Sequence, residues 1–416
     1  MSDDQRIVVT GIGIVSPIGI GREDAWDSAA AGRSGAGPIE GFDATDQRVK
    51  VACEVSDFDP GDFMGRKNAR RMDRFSQFAV AAARLAVDDA GLEVNGGDGI
   101  GAVVGTGTGG GIIRDAQHDV YLERGAERVS PFTIPQSVPN MGSAMVSIEL
   151  GLRGPVLTTS TACAAGTDAI GTALAMLRRG SADVILAGGA EAMITPFWVA
   201  GFDAMRVLSR RNDDPERAAR PFDSGRDGFL IGEGAAILVL ERLSAARARG
   251  AEAVCELVGY GASADAHHFA DPDPSGVPQA RAVSAAMSDA GLKAEDIGYV
   301  NAHGGASEPG DPAEILALRQ ALGDSARRTA ISSTKAIHGH CLGAAGAVEG
   351  ALTALAVHHG FVPPTANLDD LDPDCAGLDH VTGEGRAMQL GAAMSTSFGL
   401  GGHNAALVFG ALNGDA

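Results

Sequence analysis

Short continuous apolar runs alternate with longer Ala-rich stretches from one end of the chain to the other. Ile7–Thr10, Ile100–Val104, Val184–Ala187 and Ala235–Leu240 have the unbroken apolar character of strands covered on both faces. Ser76–Leu92 reads as a helix, with Gly91 near its end. This alternation predicts α/β layers with buried, largely parallel strands. Asn212–Arg226 is charged and contains Pro215 and Pro221, the pattern of an exposed loop. No apolar run approaches the ~18 residues a membrane helix needs, so a membrane-spanning protein is excluded. No linker or low-complexity tract divides the chain.

Two segments are similar to each other. Leu157–Thr161 leads into an Ala/Gly-rich stretch ending at Arg178-Arg179-Gly180. Ile331–Thr334 leads through Gly343-Ala344-Ala345-Gly346 to His358-His359-Gly360. Each reads as strand, turn, small-residue helix and glycine stop, with basic or potentially basic residues where a helix C-terminus favours them. The repetition predicts a duplicated α/β fold.

Composition adds a packing argument and removes some functions. The 416 residues include 58 Gly, and aromatics are only 5%. Small residues in such excess suit close helix–strand packing. The net charge of −20 argues against nucleic-acid binding by the whole surface. Met1-Ser2-Asp3-Asp4-Gln5-Arg6 lacks the features of a secretory signal. Five cysteines (Cys53, Cys163, Cys255, Cys341, Cys375) without C-x-x-C spacing predict neither a disulfide framework nor a zinc ribbon. A reducing, cytoplasmic setting follows.

One thiol stands apart. Cys163, in Ser160-Thr161-Ala162-Cys163-Ala164-Ala165-Gly166, falls between a strand and a helix, where the macrodipole is expected to lower its pKa. The small neighbours permit a sharp turn and an amide N–H directed at an oxyanion. His303 follows the apolar run before Asn301, and Lys335, His338 and His340 occupy the turn before the second small-residue helix. Ligands of α/β sheets bind beyond the C-terminal ends of the strands, so Cys163, His303, His340 and Lys335 are expected to converge.

These motifs resemble the condensing enzymes of the thiolase superfamily, and most closely the type II β-ketoacyl-acyl-carrier-protein synthases. The likeness runs from Ile7-Val8-Val9-Thr10-Gly11 to Ser397-Phe398-Gly399. It includes Arg220-Pro221-Phe222-Asp223, Arg226-Asp227-Gly228-Phe229 and Gly232-Glu233-Gly234-Ala235. The resemblance implies a thiolase-like duplicated αβαβα five-layer fold, with halves 1–251 and 252–416. It implies decarboxylative Claisen condensation of an acyl group on Cys163 with a malonyl-acyl-carrier protein, in fatty-acid or, as the departures from the family pattern favour, specialised polyketide biosynthesis. His303 and His340 would stabilise the enolate, and Lys335 would tune the field and hold His303. Glu349 would balance Lys335, with Phe398 in support. The backbone N–H groups of Cys163 and Leu400 would form the oxyanion hole. No cofactor or metal is implied beyond the phosphopantetheine that the acyl carrier protein delivers. A homodimer is implied, with a heterodimer with a chain-length-factor-like homologue also open. Acyl-pocket residues would be Thr108, Phe132 and Phe202. Arg66, Lys67, Arg70, Arg71 and Arg74, spaced as on one helix face, with Arg206, would dock the acidic carrier.

The chain departs from the family pattern in three places, one of them His338, which stands where a smaller polar residue is common. After His303 the family usually reads Gly-Thr-Ser-Thr-Pro, and here it reads Gly304-Gly305-Ala306-Ser307-Glu308-Pro309. Gly305 and Ser307 thus stand where two threonines commonly hold the pantetheine arm. The final loop has Leu400 where a gating phenylalanine is usual, which predicts altered gating or acyl shape. Three other readings stay open: a dinucleotide-binding oxidoreductase through Gly105-Thr106-Gly107-Thr108-Gly109-Gly110, a coenzyme A thiolase, and an inactive chain-length partner. The retained Cys163, His303 and His340 argue against the last.

Overall fold

The computed structural model describes residues 3–412, so Met1 and Ser2 of the N-terminal segment lie outside it. Ten strands carry the architecture. β1 (Ile7–Ser16), β2 (Ile100–Gly105), β3 (Val156–Leu157), β4 (Val184–Glu191) and β5 (Gly234–Arg242) belong to the first half. β6 (Cys255–Ala264), β7 (Ile297–Asn301), β8 (Ala330–Ser332), β9 (Ala392–Gly399) and β10 (His403–Gly410) belong to the second. Their spatial orders are β1-β5-β4-β2-β3 and β6-β10-β9-β7-β8. In each order the first two pairings are antiparallel and the last two parallel. The halves join edge to edge through Val8↔Glu256 and Val9↔Cys255. Order and direction thus repeat strand for strand.

The expectation of largely parallel strands is corrected, since half of these pairings are antiparallel. The apolar pattern reports burial on both faces, not direction. Burial is what the helices provide. α1 (Arg74–Asp89) covers β1 and β5, and α3 (Val277–Ala290) covers β6 and β10. α2 (Ala165–Arg178) and α4 (Ala345–His359) lie against each other between the sheets and touch both. The result is five layers, αβαβα. Among the described residues no helix is long and apolar enough to cross a membrane.

The glycine excess has a packing role at equivalent places. A Cβ on Gly11 or Gly13 would come within 2.2 or 2.0 Å of the Ala86 or Ala82 carbonyl oxygen on α1. On Gly259 or Gly261 it would come within 2.4 or 2.3 Å of Ala286 or Ala282 oxygen on α3. Strand glycines facing helix alanines let backbone press on backbone in both halves.

Asn212–Arg226 is exposed in its first part and again at Ser224 and Gly225, but its motif side chains turn inward. Arg220, Phe222, Asp223 and Arg226 are buried. The Arg220 guanidinium donates to both Asp223 oxygens at 3.1 and 3.0 Å, and Arg226 donates to Asp372 at 2.5 Å. Charges that pair inside the fold look in sequence like charges bound for solvent.

Candidate active site

Cys163 sits in a 3₁₀ turn, Ala162–Ala164, that runs directly into α2. Ala162 adopts a φ of 51°, a conformation costly for a residue with a Cβ. The second half repeats this turn as Leu342–Ala344, with Leu342 at φ 47°, before α4. Gly343 is therefore the positional equivalent of Cys163.

Side chains from the loop after β7 and from the turn after β8 close over the thiol. His340 Nε2 lies 3.1 Å from Cys163 Sγ. The His303 and His340 rings meet edge to face, 5.3 Å between centroids. Phe398 stands 5.9 Å from His303 and Phe229 5.0 Å from His340. Lys335 Nζ pairs with the buried Glu349 carboxylate and donates to His303 Nδ1 at 3.3 Å.

These contacts define both imidazole tautomers. The Leu342 backbone N–H donates to His340 Nδ1 at 3.2 Å, so Nδ1 accepts and the ring proton belongs on Nε2, facing the sulfur. Lys335 does the same to His303 Nδ1, leaving His303 Nε2–H free to donate. Burial, with the Lys335 charge, holds both histidines well below the usual imidazole pKa, and they stay neutral. Two neutral N–H donors therefore overlook one thiol.

The thiol differs from expectation. Burial pushes Cys163 up to about 11, outweighing the pull of Lys335 and of the Leu400 backbone N–H. The resting group is a neutral thiol, so the helix terminus and Lys335 act on the anion as it forms or departs. Leu400 N–H faces the sulfur, and Gly399 packs so tightly that a Cβ there would lie 3.1 Å from Cys163 N. The two expected oxyanion donors are thus neighbours.

A cavity of about 470 Å³ opens over this group, lined by Cys163, His303, His340, Phe202, Phe398 and Leu400 among others. Gly305, Ser307 and Glu308 line it too. The Ser307 hydroxyl oxygen accepts from Gly310 N–H at 3.0 Å, which leaves its own proton free to donate. Thr108 and Phe132 do not line the cavity in the single chain. Thr108 bonds to Glu191 at 3.3 Å, and Phe132 is exposed under Arg71.

The basic cluster is not one helix. A four-residue helix, Arg66–Ala69, ends before α1, and Asp73 caps α1 through Phe75 N–H. Arg66, Lys67, Arg70 and Arg71 are exposed, and Arg206 lines the cavity. Arg74 is committed elsewhere, donating to the buried Glu233 at 2.8 Å and stacking over Phe78. Asp73 also accepts from Ile113 N–H at 2.8 Å, in the first turn of the helix Gly111–Arg124. An internal carboxylate occupies the place where the glycine motif would need a phosphate, which removes the dinucleotide reading. Among the described residues no cluster of His, Cys, Asp or Glu is arranged to hold a metal.

Sequence reasoning missed Glu314 and Glu191. Glu314 accepts from His303 N–H at 2.8 Å, Gly304 N–H at 2.7 Å and Thr396 hydroxyl at 2.8 Å, fixing the loop that carries His303. Glu191 accepts from Gly107 N–H at 2.5 Å and Gly343 N–H at 3.2 Å. Both look like ordinary acids in sequence. The only signal is an acid ending an otherwise apolar run in Val184–Glu191.

Comparison with known proteins agrees with this geometry. The chain matches the models "Beta-ketoacyl synthase, N-terminal domain" over residues 4–246 and "Beta-ketoacyl synthase, C-terminal domain" over 254–369. It is 47% identical over 409 residues to the 3-oxoacyl-acyl-carrier-protein synthase 2 of Synechocystis, covering 98% of each chain. The Staphylococcus aureus protein of the same name is 45% identical over 411 residues, covering 98% of this chain and 99% of that one. Among solved structures, the ishigamide ketosynthase/chain length factor superposes with a TM-score of 0.92 at 37% identity, covering 98% and 100%. A ketosynthase bound to a hexaketide and complexed with its type II PKS acyl-carrier protein superposes at 0.89 with 31% identity, covering 98% and 100%. The chain belongs to the β-ketoacyl synthase family, condensing enzymes of the acyltransferase kind, and has the thiolase-like fold.

Proposed function

We propose that this enzyme elongates a carrier-bound acyl chain by two carbons through decarboxylative condensation on Cys163. One observation carries the reading: His340 Nε2 stands 3.1 Å from Cys163 Sγ, with a second neutral imidazole beside it.

In the first step Cys163 sulfur attacks the carbonyl of an acyl thioester. The carbonyl oxygen becomes negative between the N–H groups of Cys163 and Leu400. The carrier's thiolate leaves and takes up a proton, matching the one lost from Cys163, so the transfer is proton-neutral. In the second step a malonyl thioester binds with its carbonyl oxygen toward His303 and His340. The bond to the carboxylate breaks, carbon dioxide leaves, and its electron pair forms an enolate held by the two Nε2–H groups. The enolate carbon attacks the acyl carbonyl, and Cys163 departs as a thiolate, stabilised by His340 Nε2–H and then protonated. A group that both attacks and leaves suits sulfur.

The remaining parts of the proposal have separate supports. The acyl donor and malonyl group arrive on the phosphopantetheine of an acyl carrier protein, docked by the exposed Arg66, Lys67, Arg70 and Arg71 with Arg206. The halves are taken as 1–251 and 252–416. Pairing with a second copy, or with a chain-length-factor-like homologue, would cover the free edge strand β3 and the exposed Tyr121, Leu122, Phe132, Ile134, Ile148 and Leu157. Thr108 and Phe132 are kept as chain-length residues only through such a pairing. Five buried, unpaired cysteines suit a reducing cytoplasm. Names of the relatives favour fatty-acid elongation. Leu400 and Gly305 favour the second reading, a specialised polyketide substrate.

Intact-mass measurement tests the proposal, after incubation with a panel of acyl-carrier thioesters of different length and branching. Wild type should gain the acyl mass and Cys163→Ala should not, and adding malonyl-carrier protein should release a β-ketoacyl product. Acylation of Cys163→Ala, or no product from acylated wild type, would reject it. The preferred acyl class decides between the two pathways, and sedimentation of the pure chain decides its oligomeric state.

A further inference from the structure

Behind the nucleophile, three side chains form a strut that spans the two halves. Asp168, in the first turn of α2, accepts one hydrogen bond from the Thr161 hydroxyl and another, at 2.7 Å, from Tyr260 OH on β6. Thr161 immediately precedes Ala162, the residue held at φ 51°, and Cys163 follows. Tyr260 is fixed in turn. Its ring lies so close to Gly171 of α2 that a Cβ there would meet it at 2.2 Å, and its N–H donates to Asp289 at 3.0 Å.

Thr161 also abuts the other wall of the site. A Cβ on Gly399 would lie 2.9 Å from the Thr161 carbonyl oxygen and 3.1 Å from Cys163 N. Gly399 precedes Leu400, whose N–H faces the sulfur. A shift of Thr161 therefore changes the spacing of the two N–H groups as well as the strained turn itself. The equivalent turn of the second half has no such strut. With Leu342 aligned on Ala162, Thr161 becomes Cys341 and Asp168 becomes Val348. There the turn is held by backbone donors, Leu342 N–H to His340 and Gly343 N–H to Glu191. The polar strut accompanies the nucleophile.

We propose that Asp168 is a positioning residue for acyl transfer: anchored by Tyr260, it holds Thr161 and so sets the Cys163 turn at the spacing of the oxyanion hole. This rests on the condensing role proposed above. Misplacing reacting groups by an ångström costs on the order of 10²-fold in rate, so losing the strut should cost about tenfold to a hundredfold.

The test compares two reactions of the same sulfur. Acyl transfer from octanoyl-carrier protein, followed by intact mass, needs the oxyanion hole. Alkylation by iodoacetamide needs the sulfur but develops no oxyanion. Asp168→Val, Thr161→Val and Tyr260→Phe should slow acylation, Tyr260→Phe least, while alkylation of Cys163 stays within twofold of wild type. Thr161→Ser, which keeps the hydroxyl, should restore acylation. Unchanged acylation in Thr161→Val overturns the proposal, as does an equal fall in both reactions, which would mark an effect on the thiol itself. If Asp168→Val does not fold, the Thr161→Val and Thr161→Ser pair gives the same answer. Failure of wild type to be acylated by octanoyl-carrier protein or by any other thioester of the panel above would instead reject the function proposed above.

Discussion

The turns at Cys163 and Gly343 have the same backbone and opposite fates. Each has a positive-φ residue, a 3₁₀ turn and a long helix packed in the middle of the fold. At the first, the neighbouring half contributes the end of β9 and the turn after it, Phe398-Gly399-Leu400, which leaves room over the thiol. At the second, it contributes Glu191, whose carboxylate accepts the Gly343 N–H. An internal carboxyl group thus sits at the second turn where the first leaves an N–H for a substrate oxyanion. One backbone device serves as a catalytic site where its donor is left free and as a structural joint where it is satisfied.

The largest expected effect breaks the second turn. A Cβ on Gly343 would come within 2.1 Å of Gly107 N and 2.5 Å of Glu191 Oε2. Gly343→Ala should cost more than about 4 kcal/mol, the range of severe core disruptions. Cys163→Ala, at the equivalent place, should melt within a few degrees of wild type and lose only acylation. Calorimetry on both variants checks this, and a Gly343→Ala protein as stable as wild type would end the comparison.

Glu191 comes next. It is fully buried, and burial raises its carboxyl to about 7 against the hydrogen bonds that favour the anion. Glu191→Ala would strand the N–H groups of Gly107 and Gly343 and the Thr106 hydroxyl, at about 1–3 kcal/mol each where no water replaces the acid. Denaturant unfolding should show a loss of about 3 kcal/mol or more, with Glu191→Gln markedly milder because it keeps an acceptor.

His338 lies in the same turn region as Lys335 and is fully buried, bonded to Thr334 at 3.1 Å. Burial pushes it down to about 3, below the 6.5 of an exposed imidazole. Its contribution to stability is therefore complete above pH 6.5 and lost as the pH falls toward 3, because the unfolded chain binds the proton first. The slope is about 1.4 kcal/mol per pH unit. Glu191, Asp311 and Glu349, all raised to about 7, act oppositely: their contribution is present at low pH and lost as pH rises through 7. The difference between wild type and His338→Asn isolates the histidine. The stability of wild type relative to the variant should fall as the pH drops from 6.5 to 5, and parallel curves would mean the imidazole is not held neutral.

Much of this was legible from residues alone, for definite reasons. Cys163, His303, Lys335 and His340 are chemically distinctive and stand at strand ends, where apolar runs stop. The duplication was visible because small-residue helices in the middle layer need the same Ala and Gly twice. Strand direction was not legible, because a strand buried on both faces is apolar either way round. Nor were Glu191, Glu314 and Asp168, whose meaning lies in partners distant in sequence, as with the Thr396 that meets Glu314. Arg74 shows the converse: its spacing placed it with a docking face, and the buried Glu233, 159 residues away, holds its half-buried guanidinium instead.

The smallest effect tests how open the first turn is. Gly305 lies beside His303, and a Cβ added there would meet only the His303 ring, at 3.7 Å. Its backbone is not in the positive-φ region, so a side chain is accommodated without strain. The Ser307 hydroxyl accepts from Gly310 N–H and keeps its own proton to donate, so this side of the cavity offers an incoming pantetheine arm one hydroxyl where the family usually has two. Gly305→Thr should add one hydrogen bond, about 0.5–1.5 kcal/mol. The KM for the carrier-bound thioester should fall roughly two- to tenfold, with kcat and melting temperature unchanged. A fall in kcat at constant KM would mean instead that the methyl group crowds His303 Nε2–H, and that the glycine keeps the enolate donor clear.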